Sequence, residues 1–182
     1  MKKLLIILLF VFLVAGCDEL ETIIEDTATA TEESTTDKEL VTIDRVVDGD
    51  TVIVEFEDRN TERIRLLLID TPESVHPEKE PQPYGEESSE FAKGVLQEGK
   101  EVEIERGNPE RDNYERILAY IWVDGENFNQ LMIEEGYARV GYVYEPNTKY
   151  LEEFEEAQQQ AEEEGENIWS IDGYVESRFE NY

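Results

Sequence analysis

The chain has 182 residues, enough for one domain with a hydrophobic core and too few for two domains of ordinary size. Apolar residues make up 39% of it, which favours a folded globule over a disordered chain. Its 46 acidic and 16 basic residues give a formal net charge of −30, and such a surface repels polyanions at long range. A single cysteine excludes an intrachain disulfide.

The N-terminus has the pattern of an exported lipoprotein. Two lysines precede an apolar run, residues 4–14, that is too short to span a bilayer. Residues 14–17, Val-Ala-Gly-Cys, then resemble a bacterial lipobox, whose cysteine is lipidated and begins the mature chain. We therefore expect a lipoprotein signal peptide over residues 1–17 and a protein held outside the cytoplasm, on the cell membrane, through lipidated Cys17. The alternatives are an ordinary signal peptide and an uncleaved N-terminal anchor.

The next segment, residues 18–40, is rich in acids and threonine and has no large apolar face. Such a segment buries too little apolar surface to offset its ordering entropy, so we expect a disordered acidic tether. The folded domain is expected over residues 41–170. Residues 171–182 follow as a C-terminal extension to which the sequence assigns no role.

The domain opens with stretches rich in valine, isoleucine and leucine, separated by turn sequences such as Asp-Gly, which predict an antiparallel meander. Five strands are predicted, at residues 41–47, 51–56, 62–69, 102–105 and 117–123. The spacing of apolar residues predicts three helices, at residues 84–98, 128–135 and 148–164. This content predicts an α+β fold, a five-stranded OB-fold barrel with three helices, which is a frequent scaffold for oligonucleotide binding. A proline-rich exposed loop is expected over residues 72–83.

Two carboxylates follow neighbouring strands of this meander. Asp50 lies at the turn between the first two strands, and Asp70 lies where the third strand ends. Adjacent strands bring both within reach of one cation, and two carboxylates with a backbone carbonyl and waters form a hard oxygen site for calcium or magnesium. His76 is the one histidine in the chain, so no histidine–cysteine cluster offers a softer site.

Phosphodiester cleavage by water needs cationic groups and a base near such a metal. Arg65 and Arg116 are candidate cations, because guanidinium groups match phosphate geometry with paired hydrogen bonds. Glu73 is the candidate base. Each of these residues has an ordinary structural explanation when it is taken alone, such as a turn, a helix cap or an ion pair. Their order along the chain is what makes the pattern specific.

That order resembles the staphylococcal nuclease (thermonuclease) family. The matching stretches are Asp-Gly-Asp-Thr at 48–51, Arg-Leu-Leu-Leu-Ile-Asp-Thr-Pro-Glu at 65–73, Tyr-Gly at 84–85, Asp112 with Tyr114 and Arg116, Leu-Ala-Tyr-Ile at 118–121, Tyr-Val-Tyr at 142–144, and Asn-Ile-Trp-Ser at 167–170. The similarity covers residues 41–170 without a large gap. It implies the same OB-fold with three helices and a calcium-dependent endonuclease. The expected substrates are DNA and RNA, cleaved to 3′-phosphate and 5′-hydroxyl ends by a monomer.

The resemblance also implies a role for each matching residue. Asp50 and Asp70 become calcium ligands through their carboxylates, and Thr71 through its backbone carbonyl. Arg65 and Arg116 bind the scissile phosphate. Glu73 acts as general base or orients the attacking water, two roles that stay open. The expected substrate contacts are Tyr114 and Tyr142, and Asp48 is expected behind the metal ligands.

Two positions depart from the family pattern. Glu115 stands where the family usually has glycine, and its carboxylate lies next to Arg116 in the sequence. Asn113 stands where a lysine is common, so one phosphate contact is lost. The repulsion from the acidic surface is screened over about 8 Å at physiological salt, so local phosphate binding by two arginines and a cation is compatible with it. A catalytically inactive OB-fold binding module and a calcium-binding surface lipoprotein are the competing functions.

Overall fold

The computed structural model describes residues 38–75 and 80–179. The predicted signal peptide, Cys17, His76 and the predicted tether up to residue 37 lie outside the described residues. Lys38–Val46 is the first strand, β1, so residues 38–40 belong to a strand that begins three residues before the predicted start of the domain. Within the described ranges, no helix is both long and apolar enough to cross a membrane.

A closed barrel forms the centre of the domain. Its five strands are β1, β2 (Thr51–Glu55), β3 (Thr61–Leu66), β5 (Glu101–Arg111) and β6 (Ile117–Val123). They are hydrogen-bonded in the order β3-β2-β1-β5-β6, and a parallel pairing between β3 and β6 closes the cylinder. The predicted five-stranded OB-fold barrel is therefore confirmed.

Three helices surround the barrel, as predicted, together with several short elements that the sequence did not predict. The helices are α1 (Gly85–Val95), α2 (Phe128–Glu134) and α3 (Leu151–Glu164), and the short elements are β4 (Ile69–Asp70), β7 (Glu126–Asn127), β8 (Arg139–Val140) and a 3₁₀ turn at Asn167–Ser170. Fully buried Phe128 and Met132 of α2 and Phe154 of α3 pack against the barrel residues in one hydrophobic core. The helices thus form the outer layer of that core.

The third predicted strand, residues 62–69, differs from the structure. β3 ends at Leu66 because Leu68 adopts a left-handed backbone conformation with φ of 62°, which an extended strand does not contain. Ile69–Asp70 instead forms β4, which pairs with Arg139–Val140 of β8 in a separate two-stranded sheet. The change of direction carries Asp70 away from the barrel wall.

A buried amide supports this change of direction. The Asn129 side chain is fully buried, donates from Nδ2 to the Leu67 carbonyl at 2.9 Å, and accepts at Oδ1 from the Ile121 N–H at 3.1 Å. These bonds satisfy backbone groups of both β6 and the segment that leaves β3. Asn129 therefore links α2 to the segment that leads to Asp70.

The extension beyond residue 170 folds back onto the domain over its described part. Tyr174, Val175 and Phe179 are buried in a second hydrophobic cluster with Ile168 of the 3₁₀ turn. We call residues 171–179 the C-terminal segment. The C-terminal segment therefore belongs to the packed part of the domain, although the sequence indicated no role for it.

Candidate active site

Asp50 is held by the turn between β1 and β2. Its N–H donates to Asp48 Oδ1 at 3.2 Å, and its carbonyl accepts from the Leu66 N–H at 2.9 Å. Thr51 Oγ1 donates to Asp50 Oδ1 at 3.0 Å. The Asp50 side chain is buried, and hydrogen bonds hold both the backbone and the carboxylate of this residue. A preorganised ligand requires such restraint.

Gly49 allows this turn to approach α1 and the segment after β4. A Cβ atom at position 49 would lie 2.1 Å from Ser88 Oγ and 2.9 Å from both the methyl carbon and the hydroxyl of Thr71. Ser88 and Thr71 are themselves buried, so little space is open for them to move into. The glycine of the Asp-Gly-Asp-Thr motif is therefore required by close packing.

Arg65 extends from β3 to Asp50. Its Nη2 lies 3.0 Å from Asp50 Oδ2, and its Nη1 donates to the carbonyls of Leu66 at 2.8 Å and Ile69 at 3.1 Å. Both side chains of the ion pair are about one tenth exposed. The ring of Tyr142 lies 4.8 Å from the guanidinium carbon, with Tyr142 58% exposed. The structure thus brings together Arg65, Asp50 and Tyr142.

Asp70 reaches the same region from β4. It pairs with Arg139 of β8, whose Nη2 lies 2.5 Å from Asp70 Oδ2. Burial raises the pKa of the Asp70 carboxyl, the charge of Arg139 opposes this rise, and the nearby charge of Asp50 adds to it. The Thr71 N–H donates to Asp50 Oδ2 at 3.3 Å, which joins the segments bearing the two aspartates.

Asp48 adds a third carboxyl behind Asp50. Burial and, next, the charge of Asp50 raise the pKa of Asp48 to about 7, and the charge of Glu73 contributes to the rise. In a partly buried place, each charged carboxylate makes ionisation of its neighbours less favourable. A cation placed among them offsets this repulsion and stabilises the ionised carboxylates. This arrangement indicates where positive charge is favourable.

The donor set is suited to a hard cation. Two carboxylates, Asp50 and Asp70, and the carbonyl of Thr71 offer only oxygen, which matches calcium or magnesium rather than zinc. In the described part of the chain, no group of three or more histidine, cysteine, aspartate or glutamate side chains is arranged to hold a metal ion. Any ion bound here would therefore complete its coordination with water or substrate oxygens.

Glu73 lies at the exposed edge of this cluster. Its carboxylate accepts from the Val75 N–H at 2.9 Å, and its backbone N–H donates to Gln82 Oε1 at 2.6 Å. Its charge contributes to the raised pKa of Asp48. The geometry is compatible with a base or a water-orienting group facing solvent.

Arg116 lies at the end of the turn that leads into the neighbouring strand, β6. β3 and β6 run parallel with Arg65 opposite Leu118, so Arg116, which immediately precedes β6, lies about 7 Å along the strand direction from the level of Arg65. Its Nη2 lies 2.7 Å from Asp112 Oδ2. Burial acts to raise the pKa of Asp112, but hydrogen bonds from Arg116 hold this pKa below its usual range. Tyr114, 81% exposed, lies 5.5 Å from the Arg116 guanidinium carbon.

Glu115 occupies a conformation that usually favours glycine. Its φ is 64°, and its carbonyl accepts from Arg111 Nη1 at 2.6 Å. Arg111 also makes paired hydrogen bonds to Glu62 at 3.1 and 3.0 Å. The turn that carries Tyr114 and Arg116 is therefore held by Arg111 at the edge of the barrel.

Sequence reasoning did not identify Arg139, Gln82 or Arg111 as neighbours of the site. Arg139 lies in a two-residue strand, too short to produce an alternating pattern. The one available signal for it was its position three residues before Tyr142 of the Tyr-Val-Tyr motif. Gln82 and Arg111 carry no motif signal.

Comparison with known proteins is in accord with this geometry. The family model described as staphylococcal nuclease homologue matches residues 63–171. The SPbeta prophage-derived endonuclease YokF of Bacillus subtilis (strain 168) is 48% identical over 144 residues, which cover 78% of this chain and 48% of that protein. Endonuclease YncB of the same strain is 45% identical over 139 residues, covering 76% and 65%.

A staphylococcal relative matches at the same level. The thermonuclease of Staphylococcus hyicus is 46% identical over 126 residues, covering 69% of this chain and 73% of that protein. The chain spans about half of the first Bacillus relative and just under two thirds of the second. From the family match and these identities, the chain belongs to the staphylococcal nuclease family.

Proposed function

We propose that the chain is a calcium-dependent endonuclease that hydrolyses phosphodiester bonds of DNA and RNA, leaving 3′-phosphate and 5′-hydroxyl ends. Membership of the family and the relatives named as endonucleases or thermonucleases support the nuclease activity. The observation that carries the proposal is that Arg65 pairs with Asp50 and that Thr71, next to Asp70, donates to the same Asp50 carboxylate, with Glu73 three residues beyond Asp70.

The cation would be held by the Asp50 and Asp70 carboxylates and the Thr71 carbonyl. Calcium bound there would polarise the phosphoryl oxygens and offset the charge that develops on them. The fixed backbone around Asp50 keeps its carboxylate in place without reorganisation during the reaction.

Arg65 would bind the scissile phosphate from β3, and Arg116 would bind it from the turn before β6. The carbonyls of Leu66 and Ile69 orient the Arg65 guanidinium, so its donors are placed before the substrate arrives. Arg116 is oriented by Asp112. The exposed rings of Tyr114 and Tyr142 lie beside these two arginines and would contact the nucleotide.

Glu73 would orient the attacking water or take its proton. Its carboxylate is exposed, so water can reach it, and its backbone is held by Gln82. Breaking the bond between phosphorus and the 5′ oxygen leaves the phosphate on the 3′ side, which gives the proposed product ends.

The proposal is tested with single-stranded DNA and the soluble domain, in calcium and then in chelator, beside Arg65→Ala and Glu73→Ala variants. Cleavage that requires calcium and falls on the order of 10²–10³-fold in each variant is expected. Analysis of the ends by phosphatase and kinase treatment checks the 3′-phosphate.

A catalytically inactive binding module is the second candidate function. It is favoured by one observation, that each candidate charge has a counter-ion within the domain: Arg65 with Asp50, Asp70 with Arg139, and Arg116 with Asp112. DNA binding without calcium-dependent cleavage in the same assay would select this function.

We also propose that the protein is anchored outside the cytoplasm by lipid on Cys17, on the strength of the lipobox pattern alone. Expression in a bacterial host should place the full chain in the membrane fraction and incorporate labelled fatty acid. A Cys17→Ser variant should lose the label. Equal labelling of the two proteins would refute the anchor.

A further inference from the structure

The C-terminal segment reaches the region before α1. Its residues Tyr174 and Phe179 are buried beside Ile168, and Tyr84 and Trp169 pack against the same cluster. Tyr174 donates its hydroxyl to the Pro83 carbonyl at 2.7 Å, and the Tyr84 hydroxyl lies 2.8 Å from Ser170 Oγ. The residues just before α1 are therefore held by the end of the chain.

Gln82 connects this contact to Glu73. Its side-chain Nε2 donates to the Phe179 carbonyl at 2.6 Å, and its Oε1 accepts from the Glu73 N–H at 2.6 Å. Its own N–H donates to the Glu73 carbonyl at 2.9 Å. One residue thus satisfies both backbone groups of Glu73 and is itself tied to a residue 97 positions further along the chain.

Close packing strengthens the arrangement. Gly85 donates its N–H to the Gln82 carbonyl at 2.9 Å, and a Cβ atom at position 85 would lie 2.7 Å from the Glu73 carbonyl oxygen. The start of α1 therefore lies directly against the Glu73 backbone. The exposed Glu73 carboxylate depends on this backbone for its position, because it accepts its hydrogen bond from the Val75 N–H only two residues away.

We propose that Gln82 is a positioning residue, which uses the C-terminal segment as a support to fix where the Glu73 carboxylate lies during phosphodiester cleavage. The inference rests on the proposed nuclease function and adds a residue and a segment to it. Its physical basis is that a catalytic group displaced by about 1 Å can lose on the order of 10²-fold in rate.

The test compares the full chain with Gln82→Met, which keeps the length of the side chain and removes its donor and acceptor. Gln97→Met is the matched control, because Gln97 is exposed and its side chain bonds only locally, to the Gly94 carbonyl at 3.1 Å. We expect Gln82→Met to lower kcat by about 10- to 100-fold. KM, calcium affinity and the melting temperature should stay close to those of Gln97→Met.

A double-mutant cycle separates positioning from a general structural effect. Each of the two methionine variants is combined with Glu73→Gln, and residual cleavage is measured with enzyme in excess. If Gln82 acts through Glu73, its substitution costs nothing further once the carboxylate is gone. Hydrogen exchange of the Glu73 amide provides a second measurement, which should be faster in Gln82→Met than in the parent.

Each outcome has a defined meaning. Equal cleavage by the Gln82→Met and Gln97→Met proteins overturns the inference, as does a loss of rate from Gln82→Met that is the same with and without the Glu73→Gln substitution. Unchanged exchange at the Glu73 amide overturns it as well. A parent chain that cleaves no DNA in calcium overturns the proposed function itself, and the inference with it.

Discussion

The Arg65 guanidinium lies 3.0 Å from the Asp50 carboxylate, and both side chains are about nine tenths buried. This pair joins a candidate phosphate ligand to a candidate calcium ligand. In a buried ion pair, each charge compensates the cost of removing the other from water. Substitution of one partner therefore affects stability as well as catalysis.

Replacing Arg65 by alanine leaves Asp50 unpaired beside Asp48 and Asp70. In chelator, we expect the free energy of unfolding to fall by about 3–5 kcal/mol, and added calcium should recover much of this loss because it supplies the missing positive charge. Denaturant unfolding with and without calcium measures both effects. Arg59→Ala is the control, since Arg59 is 84% exposed in its pair with Glu55 and should cost less than about 1 kcal/mol. Equal losses in the two variants would contradict the prediction.

Glu115 should weaken substrate binding through its charge and strain the turn through its backbone. Glu115→Gln removes the charge and keeps the strain, so KM for DNA should fall at low salt with stability unchanged. Glu115→Gly removes both, and should also raise the free energy of unfolding by up to about 1 kcal/mol, because φ of 64° costs glycine little. Steady-state kinetics at low and high sodium chloride check the charge effect, which salt should screen. A KM that both variants share with the parent at low salt would refute it.

Gly49 should not tolerate a methyl group. Gly49→Ala is expected to lower the free energy of unfolding by about 1–3 kcal/mol and to weaken calcium binding, because the Cβ atom would displace Ser88 or Thr71 beside Asp50. Gly94→Ala is the matched control, since a Cβ atom there meets no atom within 4 Å and alanine favours a helix by about 0.5–1 kcal/mol. Thermal unfolding and calcium titration of the two variants test this. Gly49→Ala with parental calcium affinity would argue against close packing at the turn.

The raised pKa of Asp48 predicts a pH dependence of the metal-free protein. Burial and Asp50 raise this pKa from 3.8 to about 7, so between these values the folded state binds more protons at Asp48 than the unfolded state does. The contribution of Asp48 to the free energy of unfolding therefore falls as pH rises from about 4 to about 7, by at most about 4 kcal/mol. Denaturant unfolding in chelator across this range should show a shallower fall for Asp48→Asn, which keeps the acceptor for the Asp50 N–H. Parallel curves for the two proteins would contradict the assignment.

Most of the barrel was predictable because its signals are local. Strand β6 begins and ends at the predicted residues, 117 and 123, and β2 differs from its prediction by one residue. Alternating apolar residues and Asp-Gly turns determine such strands over a few positions. The third strand was predicted three residues too long because the turn at Leu68 requires a positive φ that leucine does not signal.

The candidate site was predictable in part. The order of Asp50, Arg65, Asp70 and Glu73, through its resemblance to a known family, made these residues candidates, and neighbouring strands of a meander bring such ends together. The pairing of Asp70 with Arg139 was not predictable, because it depends on two-residue strands 69 positions apart. The support of Glu73 by Gln82 and Phe179 depends on the return of the chain end across the domain.

By itself, then, the sequence determined the closed barrel with three helices, the family of the chain and the set of candidate catalytic and calcium-binding residues. These rest on local pattern and on the order of chemical groups. Only the tertiary structure decided which charged side chains form ion pairs and that the C-terminal segment packs against the residues before α1. It also decided that Gln82 hydrogen-bonds to the backbone of Glu73. The contacts of Asp70 with Arg139 and of Gln82 with Phe179 join residues far apart in the chain, and they form only when the barrel has closed and the end of the chain has returned across it.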